Sequence, residues 1–387
     1  MSEVQQEQPD KHYFTCLPHI NLGRMKEVDL GFAKIWNFDL AKEIYIPDEN
    51  LRKQVEAILH THKGSYPFGP EDNEYLPIHG IGIISTGEPT DSEPRKYERE
   101  KINDARLITF ISALARRNVI TRNANSGHGM ASSENYQPLQ FSVVVGSKYS
   151  TFFEGFVIPS WHGGIDLQKE MLIRPRHVPI PSFDPDEELL GVLVELREKR
   201  PRIFRRTISA VEVFFESYYN TTQLSHNARI LLQASAFEIL LGAQSMEGRK
   251  TLKSFLKKEA TYPHEEVVSY MSERRGKFER EIGNMREKWA DRFFTLRNHI
   301  IHGYVPKEEE YYFGKWQRHF DIATLFFIYC LKVKVEQALR RQIFGDDVVW
   351  KTWTDDLLVE PKKFTGFEYD NLGPRWWTRR MKKLKKK

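Results

Sequence analysis

Beyond about residue 187, apolar side chains recur at intervals of four and three, and that period predicts helices. In IFRRTISAVEVFFESYYNTT, Phe204, Ile208, Val211, Phe215 and Tyr218 trace one face. In HNARILLQASAFEILLGAQ, Ile230, Ala234, Phe237 and Leu241 form a stripe with Glu238 beside it and Gly242 where the stripe stops. Glycine ends helices because it adopts the left-handed turn without steric cost. NMREKWADRFFTLRNHIIHG places Trp289, Phe293, Leu296 and Ile300 in register and stops at Gly303. RHFDIATLFFIYCLKVKVEQALRRQIFG does the same with Phe320, Ala323, Phe327, Cys330 or Leu331, and Lys334. Four such helices, with one longer charged connection over 245–285 that holds helical pieces such as TLKSFLKKE, predict an antiparallel bundle.

The first half has a different pattern. IHGIGIIS (78–85), FSVVVG (141–146) and FFEGFVIP (152–159) are short runs rich in β-branched and aromatic residues and bounded by Gly, Ser or Pro, so they predict strands. The last two, joined by SKYST, predict a hairpin. LRKQVEAILHTH (51–62) and YEREKINDARLITFISALARR (97–117) have helical spacing. RPRHVPIPSFDPDEE (174–188) carries Pro175, Pro179, Pro181 and Pro185, which regular helix and central strand both exclude. The expected fold class is therefore an α+β N-terminal domain followed by an all-α antiparallel helical bundle. The expected bounds are 1–190 for a sensing or binding module, 191–345 for the bundle and 346–387 for an extension with a basic tail.

A chain of 387 residues is long enough for two cores, and 40% hydrophobic with 29% charged residues is globular composition. The net charge of +5 belongs to the end of the chain. Eight cations, Arg375, Arg379, Arg380, Lys382, Lys383, Lys385, Lys386 and Lys387, lie in the last thirteen residues, and without them +5 becomes −3. With Trp376 and Trp377 at its root, such a tail suits phosphates or an anionic membrane, and a solvated terminus accounts for it equally well. Cys16 and Cys330 are too few for a disulfide framework or a zinc site. The start, MSEVQQEQPDKHYF, lacks an apolar core of the secretory kind, and no stretch is long enough without charge to span a bilayer, so the expected location is the cytoplasm. There is no phosphate-cradling loop of Walker type, no G-x-G-x-x-G after a strand and no G-x-S-x-G, which removes the main support for ATPase, dehydrogenase and serine-hydrolase readings. His60 and His62 lack a third ligand nearby, and His128 and His162 sit among glycines, as turns do.

One short stretch carries candidate chemistry, FTLRNHIIHGY at 294–304. A look-alike, RNANSGHG at 122–129, has the composition of a loop and is set aside. On the helix predicted to end at Gly303, Asn298 and His302 are four apart and share a face, and Arg297 is about one turn and a third from His302. Two readings are open. His302 can move a proton near neutral pH while the Arg297 guanidinium holds phosphoryl oxygens, a pair suited to RNA cleavage by the 2′-hydroxyl. Alternatively, Gly303 is a helix cap, Asn298 and His302 satisfy the last carbonyls, and Arg297 pairs with Glu238 inside the bundle. One His and one Arg supply half of an acid–base set, so the first reading also predicts a homodimer, in which a twofold axis brings two copies of the helix together.

RNHIIHG, together with AFEILL (236–241) on an earlier helix, resembles the signature of the HEPN domain, in the form found in its Apea-like group, over roughly residues 200–345. The resemblance implies a helical nuclease fold that cleaves RNA without metal or other cofactor, often as a dimer and in toxin–antitoxin or phage-defence systems. Some members have lost catalysis and serve as scaffolds that bind RNA or protein. Carried over by position, it implies Arg297, Asn298 and His302 as catalytic residues, with Glu238 a loose match to a supporting carboxylate. Lys332, Lys334, Arg340 and Arg341 on the last helix, and Arg379 and Arg380 in the tail, are candidate RNA contacts, chiefly Lys334, Arg341, Arg379 and Arg380. KEEEYY (307–312) is read as a solvent-facing loop, and the ligand of residues 1–190 is not named by any motif.

Overall fold

The computed structural model describes residues 14–17, 27–39, 49, 62–65, 75–76, 79–85, 94–116, 171–173, 185–218, 224–243, 247–259, 268–274, 277–313, 317–344 and 358. The chain divides into two compact units, Met1–Ala113 with Glu134–Asp186, and Leu114–Ser133 with Glu187–Lys387. The first contains an antiparallel sheet in the order β1-β6-β3-β2, from β1 (Phe14–Leu17), β2 (Glu27–Asp29), β3 (Ala33–Asp39) and β6 (His79–Ser85). The predicted strand at 78–85 is the inner strand β6. Its Gly82 lies opposite Trp36, and its Ile83 lies opposite Ile35, both isoleucines buried. A second sheet, β5-β4-β7, joins β4 (His62–Ser65) antiparallel to β5 (Tyr75–Leu76) and parallel to β7 (Met171–Ile173). His62 thus opens a strand instead of closing a helix. The helix predicted at 97–117 is α1 (Pro94–Arg116), which buries Ala105, Ile108, Phe110 and Ile111. The remaining predicted elements of this half, the helix over 51–61 and the hairpin of FSVVVG with FFEGFVIP, lie outside the described residues.

The second unit is built on α2 (Glu187–Lys199), α3 (Pro201–Glu216), α4 (His226–Leu241), α5 (Gly248–Glu259), α6 (Met285–Ile301) and α7 (His319–Leu339). Its core is aromatic. Phe214 of α3 stacks on Phe327 of α7 at 4.0 Å, and Trp289 of α6 stacks on Phe293 at 5.1 Å and meets Phe326 at 4.6 Å. Phe237 of α4 meets Trp289, Phe293 and Phe327 edge-on, so α4, α6 and α7 share one packed centre. The helix boundaries follow from the sequence. The Ser225 hydroxyl accepts the Ala228 N–H at 3.2 Å, and Gly242 ends α4 at φ 67°. Asn284 and Glu287 form a reciprocal cap at the start of α6 (2.8 and 3.0 Å), and Gly303 follows its end at φ 80°.

The connection over 245–285 is not a purely helical excursion. After α5 it forms an antiparallel hairpin, β8 (Val268–Arg274) with β9 (Lys277–Gly283), and a smaller ribbon pairs β10 (Tyr312–Phe313) with β11 (Gln317–Arg318) before α7. The expectation of an all-α unit is corrected accordingly, to a helical unit with two small antiparallel ribbons. Among the described residues no helix is long and apolar enough to cross a membrane.

Candidate functional site

Helix α6 carries two polar clusters. The first is closed. Asp291, 1% exposed, accepts the Arg249 guanidinium at 2.7 Å and the Ser272 hydroxyl at 3.1 Å, and lies 3.6 Å from the Lys253 ammonium. Lys253 also pairs with Glu281, which accepts the Tyr270 hydroxyl at 3.2 Å, and Arg249 donates to the Glu273 carbonyl at 2.6 Å. Two cations from α5 and two carboxylates, one on α6 and one on β9, therefore fasten the hairpin to the helix pair. With every charge paired, this cluster works as a clasp.

The second cluster is the predicted motif at the open end of α6. Asn298, His299 and Ile300 complete the last turn, where the His302 N–H reaches the Asn298 carbonyl at 3.0 Å and the Tyr304 N–H reaches the His299 carbonyl at 2.9 Å. His302 is exposed, and among the described residues its imidazole has no hydrogen-bond or ion-pair partner. Arg297 is half-buried. Its Nη1 donates to Asn298 Oδ1 at 3.0 Å, and its Nη2 faces both oxygens of Glu238 at 3.3 and 3.4 Å. The structure thus brings Arg297, Asn298 and Glu238 together, with His302 at the solvent end of the same helix. A guanidinium has five N–H donors, so these contacts hold Arg297 in place and leave donors for an anion. Its charge is already offset by Glu238, with which an incoming phosphate has to share it.

Glu238 is itself held in a confined space. A β-carbon on Gly248, the first residue of α5, would come within 2.7 Å of Glu238 Cγ and 2.8 Å of Phe294 Cε1, so only glycine lets α5 start this close to α4.

Sequence reasoning passed over His299, although it stands inside RNHIIHG. Its Nε2 lies 2.9 Å from Glu273 on β8, and its Nδ1 lies 4.0 Å from Glu310. Its ring meets Tyr304 edge-on at 5.1 Å. The Tyr304 hydroxyl donates to Glu310 at 3.2 Å, and the hydrogen bond and charge of Glu310 raise the phenol above its ordinary value. Glu310 also accepts the Lys307 N–H at 2.7 Å in the 3-10 turn Glu308–Tyr311. KEEEYY is therefore folded back against the motif instead of being a bare loop. With both ring nitrogens facing carboxylates, His299 braces the helix end, whereas His302 is exposed. Only the fold of 268–283, which places Glu273, gives His299 this role.

The other predicted residues lie elsewhere. Lys334 is half-buried on α7, and burial together with the Arg206 charge lowers its pKa. Arg341 is exposed just past α7 and pairs with Glu195 of α2. Arg340 is exposed, Lys332 faces the Phe344 ring at 4.8 Å, and Arg379 and Arg380 lie outside the described residues. Among the described residues no cluster of His, Cys, Asp or Glu has the makings of a metal site. No protein family, curated protein or solved structure matches the chain.

Proposed function

We propose that the chain is an endoribonuclease of HEPN type, acting in the cytoplasm as a defence or toxin-like effector and cutting RNA at a site shared by two copies. The observation that carries this reading is that one helix end holds both a guanidinium, Arg297, fixed by Glu238 and Asn298, and an exposed imidazole, His302, without a side-chain partner among the described residues. In the reaction, a base takes the proton of the ribose 2′-hydroxyl and the 2′-oxygen forms a bond to phosphorus. The bond from phosphorus to the 5′-oxygen breaks, and that oxygen receives a proton. The products are a 2′,3′-cyclic phosphate and a 5′-hydroxyl. His302 serves as base or acid, the second copy's histidine supplies the complementary step, and Arg297 holds the non-bridging oxygens as charge builds on them. Asn298, bonded to Arg297, keeps the guanidinium in plane.

A second reading rests on the Arg297–Glu238 contact. A guanidinium that has its own carboxylate needs no substrate, and the bundle then serves as a scaffold for RNA or a partner protein. Incubation with an RNA panel in the presence of a metal chelator separates the two. The nuclease reading expects cyclic-phosphate ends from the wild type and none from a folded His302→Ala variant. Cleavage retained in that variant refutes the assignment of His302, and no cleavage by the dimeric wild type leaves the scaffold.

A further inference from the structure

The junction of α2 and α3 reads REKRPRIFRR over 197–206, six cations against the single acid Glu198. Helix α3 packs on α7, with Phe214 stacked on Phe327 and the Tyr218 hydroxyl against Thr324, so residue numbers rise along one helix as they fall along the other. Continuing that register at 1.5 Å per residue sets Arg206 level with Lys334, and Arg200 and Arg202 level with the end of α7 at Arg340. The Arg206 Nη1 lies 3.1 Å from the point a β-carbon of Gly242 would occupy, over the last turn of α4. Glu195 of α2 is already shared by Lys199 at 2.9 Å and Arg341. Among the described residues, Arg200, Arg202, Arg206, Lys334 and Arg340 make no ion pair.

Arg340 adds an independent observation. It is the one described residue other than glycine with positive φ, at 55°, in the left-handed turn that ends α7. Glycine or asparagine takes that place at least cost. Here an arginine is held in it, its N–H on the Glu336 carbonyl and the Glu336 carboxylate capping the N–H groups of Ile343 and Phe344.

We infer that the basic seam where the α2–α3 junction meets the end of α7, which carries Arg200, Arg202, Arg206, Lys334 and Arg340, is a phosphate-binding surface for the backbone of an RNA strand. The six-residue step from Lys334 to Arg340 rises about 9 Å, long enough for its cations to reach neighbouring phosphates of one strand. The large apolar side chains exposed in the described chain, Met271, Phe278, Ile282, Ile301, Tyr304 and Val305, lie on the β8–β9 hairpin, within the motif or just after it. The seam therefore offers a membrane nothing to insert and a protein partner no apolar centre, whereas a polyanion needs only charge. Choosing RNA among polyanions rests on the ribonuclease reading; the surface itself does not.

The test measures binding of a short fluorescein-labelled single-stranded RNA to the full chain by anisotropy over a salt series, with His302→Ala in every protein so that no RNA is cut. Replacing Arg202, Arg206 and Arg340 by Gln is expected to flatten the slope of log K against log salt by about 2, at about 0.7 per lost phosphate contact, and to weaken binding ten- to a hundredfold at 0.1 M salt. A control that replaces the exposed Lys257, Lys258 and Lys277 removes the same charge elsewhere and should leave the slope unchanged. Should the triple variant fold poorly, Arg340→Gly carries the test. It relieves the left-handed backbone, so a raised melting temperature together with about fivefold weaker binding is expected. An unchanged slope in the triple variant, equal losses in the control, or unchanged binding by a better-folded Arg340→Gly overturns the proposal. Absent cleavage by the wild type, His302 intact, together with seam-dependent binding defeats the nuclease reading alone.

Discussion

The two polar clusters of α6 use the same kinds of residue for opposite ends. Around Asp291 the cations and carboxylates are mostly buried and fully matched. At the C-terminal end, Arg297 is matched, His299 is braced, and His302 is left in solvent. The difference is that matching consumes reactivity. A charged group with all its partners in place holds a fold together, and one with a partner missing is available to a substrate.

The comparison breaks most severely at its closed end. Asp291→Ala leaves Arg249 and Lys253 without their shared carboxylate, and the expected cost in urea unfolding is about 3 kcal/mol or more. A loss under about 1 kcal/mol would show that the clasp relaxes around water.

Next in size is the pH response of the core behind the motif. His319 is buried beside Phe293 and Phe313, and burial, helped by the charge of Arg292, pushes its pKa down to about 3. It stays neutral in the fold while the unfolded chain binds a proton below about 6.5, so its contribution is complete above that pH and is lost as pH falls towards 3. Between pH 6.5 and 5 the wild type should lose on the order of 2 kcal/mol that His319→Phe does not lose. Parallel stability–pH curves would contradict this.

The half-open Arg297–Glu238 pair should be worth less, on the order of 1–2 kcal/mol at its partial exposure. A double-mutant cycle with Arg297→Ala and Glu238→Ala measures it directly. A coupling near zero would mean that Glu238 leaves Arg297 free to serve an anion alone. The smallest stability effect is expected at the open end, where His302→Ala should change unfolding by less than about 0.5 kcal/mol. A larger cost would move His302 to the matched side of the comparison.

Much of the helical unit was legible because α3, α4, α6 and α7 each carry a 3.6-residue apolar stripe, and α4 and α6 end at the glycines 242 and 303. The β8–β9 hairpin was not, because its pattern is inverted. Tyr270, Ser272 and Glu281 turn towards the helices while Met271, Phe278 and Ile282 face solvent, so apolar alternation points the wrong way. The roles of Glu273 and His299 were hidden with it. Strands β1 and β2 were missed for their brevity, and β3 for the run Ile35–Trp36, where consecutive residues are both buried. The pairing of Arg297 with Glu238 was foreseen as the structural alternative, whereas the steric need for glycine at 248 arises only from three helices meeting.

A hairpin fastened by ions instead of apolar area answers temperature differently from the aromatic core beside it. Cooling weakens the packing of Phe237, Trp289 and Phe327, while warming lowers the cost of dehydrating Arg249, Lys253, Asp291 and Glu281. The strap over α6 is thus relatively tightest when the molecule is hot, and a chill loosens the bundle under a strap that ions still hold.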